Sequence, residues 1–151
     1  AVMDPGFGGN LFRGIALIGR FGCGKSLILE AYARLLNDFA RQRGLTAIPV
    51  AFKTSHEIYR AAKKGITNAM IFTPLVIDEI GREPKLAKEY GNESTPLIEL
   101  LLERHRRGVT THTTGNFRPE TLAREDMYGP MLGDRLGQMF NFIELKGGSR
   151  R

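Results

Sequence analysis

Residues 19–26 read Gly19-Arg20-Phe21-Gly22-Cys23-Gly24-Lys25-Ser26, which satisfies the pattern G-x-x-x-x-G-K-S/T of a phosphate-binding loop. The run before it, Ile15–Ile18, is wholly apolar, as expected of a strand buried on both faces of a parallel sheet. Beyond Lys25, apolar residues recur at the spacing of an amphipathic helix that ends at Gly44, with polar residues opposite them. The apolar positions of this helix are Ile28, Tyr32, Leu35, Leu36 and Phe39. The loop therefore joins a predicted strand to a predicted helix, which is the context that the motif requires.

The composition of this loop predicts a triphosphate ligand, ATP or ADP, with Mg²⁺. Its glycines let successive backbone N–H groups turn toward phosphates, and the following helix adds its positive dipole end. In this pattern Lys25 bridges the β- and γ-phosphates, and the Ser26 hydroxyl is a Mg²⁺ ligand. Cys23 is interpreted as a small loop residue, because no arginine follows six positions later, as it does in cysteine phosphatases. The expected nucleotide-binding residues are Gly19, Gly22, Cys23, Gly24, Lys25, Ser26 and Leu27.

A second motif is an apolar strand that ends in two carboxylates, Leu75-Val76-Ile77-Asp78-Glu79. A strand beside the phosphate-binding loop must place one acid near Mg²⁺ and the next near the γ-phosphate. Asp78 suits the metal shell, and Glu79 suits the activation of a water molecule.

Two further polar residues are each compatible with two interpretations. Asn116 ends the segment Thr113–Asn116; its amide is suited to hold the attacking water or to sense the γ-phosphate, and it is equally typical of an ordinary turn. Arg135 reads either as a solvated helix arginine or as a charge donated to the nucleotide of a neighbouring subunit. The spacing of these residues does not decide between the two interpretations.

The rest of the chain alternates predicted strands with predicted helices. Strands are expected at Ala47–Phe52, Val109–Thr113 and Phe142–Leu145, and helices at Ser55–Lys64, Leu97–Arg107 and Pro130–Met139. Ser55 and Thr95 are the expected helix caps, and residues 81–95 are expected to form a loop with a helical stretch. The pattern predicts an α/β fold, with a mostly parallel five-stranded sheet flanked by helices on both faces.

Length and composition limit the class of protein. A chain of 151 residues has room for one domain, expected to span residues 1–151, and its first residue, Ala1, suggests a piece trimmed from a longer protein. One cysteine cannot form an internal disulfide, and no apolar run approaches the length of a membrane span. We therefore expect a cytoplasmic protein without a membrane segment.

An excess of basic residues favours a polyanionic partner. The chain has 22 Lys and Arg against 16 Asp and Glu, a formal net charge of +6. The excess includes two clusters, Arg104, Arg106, Arg107 at the end of one helix and Lys146, Arg150, Arg151 at the C-terminus. The first cluster reads either as a solvated surface that compensates the helix dipole or as a contact for the backbone of single-stranded DNA.

Taken together, these motifs resemble the AAA+ ATPase domain of bacterial DnaC/DnaI-type helicase loaders and the related IstB transposition ATPases. The resemblance is collinear over residues 19–26, 75–79, 110–117, 128–129, 134–136 and 148–151. It implies that Glu79 is the catalytic glutamate, Asn116 the sensor-1 residue and Arg135 an arginine finger acting in trans. Arg151 stands where the family has the arginine of a Ser-aromatic-Arg motif. The sequence departs from the family at Arg150, which replaces the aromatic residue, and at Gly115, where threonine is frequent.

The resemblance implies an ATPase that is slow without a partner and that couples ATP state to assembly on a replicative helicase, a transposase or single-stranded DNA. The active form implied is a homo-oligomer. An IstB-like ATPase assisting a transposase and a P-loop small-molecule kinase are the alternatives. A kinase needs an arginine-rich lid, which the sequence lacks. A non-hydrolysing adaptor is a third possibility, and the presence of both Asp78 and Glu79 speaks against it.

Overall fold

A computed structural model describes residues 8–84, 87–89, 92–94 and 96–147. The strands are β1 (Gly14–Gly19), β2 (Ala51–Thr54), β3 (Leu75–Ile80), β4 (Ala87–Glu89), β5 (Asn92–Ser94), β6 (Thr111–Gly115) and β7 (Phe140–Leu145). The helices are α1 (Lys25–Gln42), α2 (Ser55–Lys63), α3 (Asn68–Phe72), α4 (Pro96–Arg106), α5 (Pro119–Leu122) and α6 (Gly129–Met139). None of these described helices is long and apolar enough to cross a membrane.

Five strands form one sheet in the order β2-β3-β6-β1-β7, and every pairing in it is parallel. Residues on alternate sides of the strands belong to two separate cores. Leu17 and Val76 pack with α1, whereas Ala16 and Ile77 pack with the helices that follow β2. The predicted α/β fold with helices on both faces of a five-stranded parallel sheet is confirmed. Because all five strands run the same way, their carboxyl ends share one edge, where the loops of the site lie.

The buried face of α1 differs from the one that the apolar pattern predicts. The side chains that face the sheet are Lys25, Leu29 and Ala33, which are four residues apart. Of the expected apolar positions, Tyr32 packs against the same core, whereas others are exposed, with Leu35 at 66% and Phe39 at 51%. The loop holds Lys25 inside, and the buried side of the helix continues from this lysine.

Several element boundaries also differ. The strand expected from Ala47 begins at Ala51. Helix α2 is capped by Thr54 rather than Ser55, because the Thr54 side chain accepts from the Glu57 N–H while the Glu57 carboxylate accepts from the Thr54 N–H. In place of the helical stretch expected within residues 81–95, the described residues form the antiparallel pair β4 and β5. The expected cap Thr95 lies outside the described residues, and α3 and α5 were not expected.

Strand β6 is buried along its whole length although its sequence is Thr-His-Thr-Thr-Gly. Buried polar side chains need hydrogen-bond partners, and the neighbouring elements supply them. The Thr113 hydroxyl donates to the Ile77 carbonyl at 2.8 Å, and His112 Nδ1 accepts the Ile15 N–H at 3.1 Å. The strand is thus joined to both neighbouring strands by side chains as well as by its backbone.

Arg104 is fully buried at 0% exposure, which corrects its assignment to a basic surface cluster. Its guanidinium donates to Thr111 Oγ1 at 2.8 Å and to backbone carbonyl oxygens. These carbonyls belong to Met70, Ile71, Thr73 and Thr110, at 2.7 to 3.0 Å. Three of them lie at the C-terminal end of α3, where helical carbonyls lack intrahelical partners. Burial lowers the pKa of Arg104 to about 10, so the group stays charged at neutral pH.

We expect Arg104→Met to lower the free energy of unfolding by about 3 kcal/mol or more, because it leaves several buried acceptors without a donor. Urea denaturation measures the change. Arg106→Met is the matched control: this arginine lies on the same helix end with its side chain 71% exposed, and its loss should cost within about 0.5 kcal/mol. Equal stability of the Arg104 variant and the wild type would show that apolar packing replaces the network.

We also expect a pH-dependent contribution from His112. Burial lowers its pKa below the ordinary 6.5, so the unfolded chain takes up a proton at a pH where the folded chain does not. The contribution of His112 to the free energy of unfolding is therefore fully present above about pH 6.5. It is lost as the pH falls from 6.5 toward the lowered pKa of the folded state. His112→Asn keeps an acceptor for the Ile15 N–H and does not titrate. The difference in unfolding free energy between wild type and this variant should shrink below pH 6.5; a constant difference would contradict the assignment.

Candidate functional site

The phosphate-binding loop lies between β1 and α1, with its glycines where the backbone needs them. Gly24 precedes α1 with φ of +93°, a conformation that favours glycine. At Gly19 a Cβ atom would lie 2.6 Å from the Leu145 carbonyl oxygen, so a larger residue would collide with the end of β7. The N-terminus of α1 has no side-chain cap. Its free N–H groups and dipole therefore favour an anion.

Lys25 is folded back into the loop. Its ammonium donates to the Gly19 carbonyl at 2.9 Å and to the Arg20 carbonyl at 2.8 Å, and the residue is only 7% exposed. Both acceptors are neutral, so phosphate oxygens would be stronger partners for the same charge.

A cavity of about 580 Å³ lies beside this loop. Its walls are Phe21, Gly22, Cys23, Gly24, Lys25, Ser26, Leu27, Ile28, Glu79, Gly115 and Asn116. The structure thus places most of the predicted site residues around one space, including Cys23 and Leu27. A second cavity of about 570 Å³ shares Phe21 and Asn116 with it and is also lined by Gly19, Arg118 and Glu144.

Asp78 connects the loop to the neighbouring strands. Its Oδ1 accepts from Ser26 Oγ at 2.7 Å and from Thr114 Oγ1. The two predicted metal ligands, Ser26 and Asp78, are therefore adjacent. A hydroxyl and a carboxylate oxygen are hard ligands of the kind Mg²⁺ takes, and Mg²⁺ usually needs only one or two such groups beside phosphate oxygens and water. The donor set fits this ion.

Glu79 is the one non-glycine residue with a positive φ, +59°, in the part of the chain that the structure describes. Such a conformation costs energy and is found most often at functional sites. Two side chains support it: the Glu79 N–H donates to Thr114 Oγ1 at 2.9 Å, and Ser55 Oγ donates to the Glu79 carbonyl at 2.9 Å. No sequence signal points to this support, because Ser55 and Thr114 are separated along the chain from the acid motif.

The Glu79 carboxylate lies at the rim of the cavity in an ion pair. Arg82 Nη1 is 2.9 Å from Glu79 Oε1, and the guanidinium lies 5.0 Å from the centroid of the Phe21 ring. Both charged side chains are more than two-fifths exposed, so the pair contributes at most about 1 kcal/mol to stability. Arg82 thus bridges the acid motif and the phosphate-binding loop with a contact that is easily broken.

The segment after Glu79 is fixed by a buried pair, Glu83 and Tyr128. The Gly81 N–H donates to Tyr128 Oη at 2.8 Å and to Glu83 Oε2 at 3.1 Å, and the Tyr128 hydroxyl donates to Glu83 Oε1. Burial, followed by the charge of Glu83, raises the pKa of Tyr128. The Tyr128 hydroxyl therefore stays protonated and can donate to Glu83. Tyr128 is also the residue immediately before α6.

The remaining predicted residues lie apart from the cavity or outside the described chain. Arg135 is exposed on α6, where its Nη1 donates to Gln138 at 3.3 Å, and it does not line the cavity. Arg106 and Arg107 both pair with Glu103, whose pKa their hydrogen bonds lower. Lys146 is exposed. The residues Gly148, Ser149, Arg150 and Arg151 lie outside the described residues.

The packing around β6 explains why position 115 is glycine, where threonine is frequent in the family that the sequence resembles. A Cβ atom at this position would lie 3.0 Å from Ile80 Cγ2. Threonine here would require Ile80 to move.

Comparison of the fold with solved structures gives similar chains. A protein described as a primosome component from Streptococcus pyogenes serotype M3 aligns with a TM-score of 0.66 at 20% identity, over 97% of this chain and 75% of that one. The DnaC helicase loader aligns with a TM-score of 0.66 at 17% identity, over 89% of this chain and 79% of that one. AMPPCP-bound DnaA from Aquifex aeolicus aligns with a TM-score of 0.60 at 18% identity, over 91% of this chain and 41% of that one.

The sequence comparisons are negative: no protein-family model matches the chain, and no curated protein matches it. At the identities above, the structural matches show a shared fold. The chain shares the fold of the primosome component and of the DnaC helicase loader.

Proposed function

We propose that this chain is an AAA+ ATPase domain that binds ATP with Mg²⁺ and hydrolyses it to ADP and phosphate. The observation that carries the proposal is the 2.7 Å hydrogen bond between Ser26 of the phosphate-binding loop and Asp78 of the acid motif. The two motifs lie far apart in the sequence, and this hydrogen bond joins them beside the cavity of the phosphate-binding loop. The AMPPCP bound by the DnaA neighbour supports the same ligand class.

On binding ATP, the backbone N–H groups at the start of α1 would receive the phosphates, and Lys25 would exchange its two carbonyl acceptors for phosphate oxygens. Ser26 and Asp78 would hold Mg²⁺ through the oxygens that now share a hydrogen bond. The bound ion would neutralise charge that develops on the phosphates.

In the hydrolysis step Glu79 would accept a proton from water as the water oxygen attacks the γ-phosphorus. The bond to the bridging oxygen breaks, and ADP leaves with that oxygen. Asn116 lies across the same cavity and would orient the water. Arg82 engages Oε1 of this carboxylate, so the second oxygen, Oε2, would take the proton unless the ion pair opens.

The structural neighbours support a biological setting for this activity. A helicase loader and a primosome component with this fold support a role in DNA replication, in which ATP state controls assembly on a replicative helicase or on single-stranded DNA. Residues 1–151 would form one such domain. Arg135, exposed on α6 and away from its own cavity, would reach the nucleotide of a neighbouring copy.

We expect Glu79→Gln to keep ATP affinity while lowering the rate of phosphate release at least about 100-fold, because the amide preserves shape but cannot accept the proton. Calorimetry measures binding, and a phosphate assay measures turnover. Lys25→Ala is the paired control and should lose ATP affinity itself. A Glu79→Gln protein with normal turnover would show that another group is the base.

We expect Arg135→Ala to bind ATP normally while losing the part of the ATPase rate that rises with protein concentration. Arginines acting in trans contribute about 10³ to 10⁵ in rate where they are characterised. Mixing this variant with Lys25→Ala should restore some activity, because hybrid interfaces join an intact nucleotide site to an intact arginine. If both variants fold and associate, absence of recovery at every ratio would exclude a role in trans.

A further inference from the structure

Thr114 is a fully buried residue of β6 whose hydroxyl group contacts both acids of the site. Its Oγ1 donates to Asp78 Oδ1 and accepts the Glu79 N–H at 2.9 Å, and its exposure is 0%. A threonine hydroxyl has one proton and two lone pairs. The proton is thus directed to one acid, and a lone pair is directed to the backbone of the other.

The Thr114 hydroxyl supports both the direction of the Asp78 carboxylate and the backbone conformation of Glu79. Asp78 Oδ1 lies between two hydroxyl donors, Ser26 and Thr114, so its carboxylate has a defined direction. The Glu79 backbone has a φ of +59°, and its N–H would be unsatisfied without Thr114. Valine has nearly the shape of threonine, and it would remove both contacts.

We propose that Thr114 is a positioning residue that orders the metal-binding carboxylate and the catalytic base through a single hydroxyl. This inference rests on the ATPase activity proposed above. Thr114 is fully buried and lines neither cavity of the site, so it acts through Asp78 and Glu79.

Thr113 is the matched control for this inference. It is the preceding residue on the same strand, is 2% exposed, and donates to the Ile77 backbone carbonyl at 2.8 Å. Thr113→Val therefore removes one buried hydroxyl from the same strand without touching either carboxylate or the Glu79 backbone. Thr114→Ser keeps the hydroxyl and is the rescue variant.

The test compares these three variants by phosphate release under saturating Mg²⁺-ATP, with circular dichroism and thermal unfolding to measure the folded fraction. Thr114→Val should lower kcat about 10- to 100-fold, the usual loss when a residue that orients a ligand is removed. Its KM for ATP should stay within about twofold, because the phosphate-binding loop is unchanged. Thr114→Ser and Thr113→Val should each stay within about threefold of the wild-type kcat.

A second measurement does not depend on turnover. Calorimetry with ATP in the presence of Mg²⁺ and in the presence of EDTA gives the gain in affinity that Mg²⁺ provides. In Thr114→Val this gain should fall about tenfold, whereas the affinity in EDTA should match the wild type. In Thr113→Val both affinities should match the wild type.

Three outcomes overturn the inference. Equal losses of kcat in the two valine variants would make Thr114 a purely structural residue, and a Thr114→Ser protein as slow as Thr114→Val would show that the hydroxyl is not what matters. An unchanged Mg²⁺-dependent gain in Thr114→Val would remove the link to Asp78. The proposed function fails separately, if the wild type shows no hydrolysis that depends on Lys25.

Discussion

The Asp78 carboxylate is the point where three separate elements of this fold are joined. Ser26 at the start of α1 and Thr114 in β6 both donate to Asp78 at the end of β3. Parallel strands make this possible, because their carboxyl ends share one edge of the sheet. At the same helix start, the carbonyls of Gly19 and Arg20 hold Lys25 inside the loop, and Leu29 and Ala33 are buried on the same side of α1. The orientation of α1 is therefore a consequence of the site as much as of the hydrophobic core.

The sequence predicts those parts of the site that are encoded in short segments. Residues 19–26 and the acids Asp78 and Glu79 are recognisable because each motif combines its chemistry with its own strand or helix. The sequence does not predict which face of α1 is buried, because that depends on the loop holding Lys25 and not on the apolar residues Leu35 and Phe39. The contacts of Thr114 and Ser55 with Glu79 are not predicted for a similar reason, since they arise only when distant segments meet.

Arg104 is a residue whose burial the sequence pattern does not predict. Three arginines near one helix end read as a basic surface, yet Arg104 is buried and Arg106 is exposed. What distinguishes them is the presence of α3, whose last carbonyls need donors and whose five residues carry too weak a pattern to be predicted. The charge of Arg104 is consequently buried and bound by carbonyl groups. Only part of the formal net charge of +6 is therefore at the surface, where a polyanion could bind.

The position of β1 in the sheet has a consequence for how the chain folds during synthesis. This strand is made long before its partners: Ile15 donates to His112, 97 residues further on, and Gly14 pairs with Phe140. Contacts between residues so distant in sequence form slowly, because a long loop must close first. On the ribosome, β1 and the phosphate-binding loop therefore lack their sheet neighbours until β6 and β7 have emerged. The cavity beside the loop likewise lacks the wall formed by Gly115 and Asn116 until the residues after β6 are made.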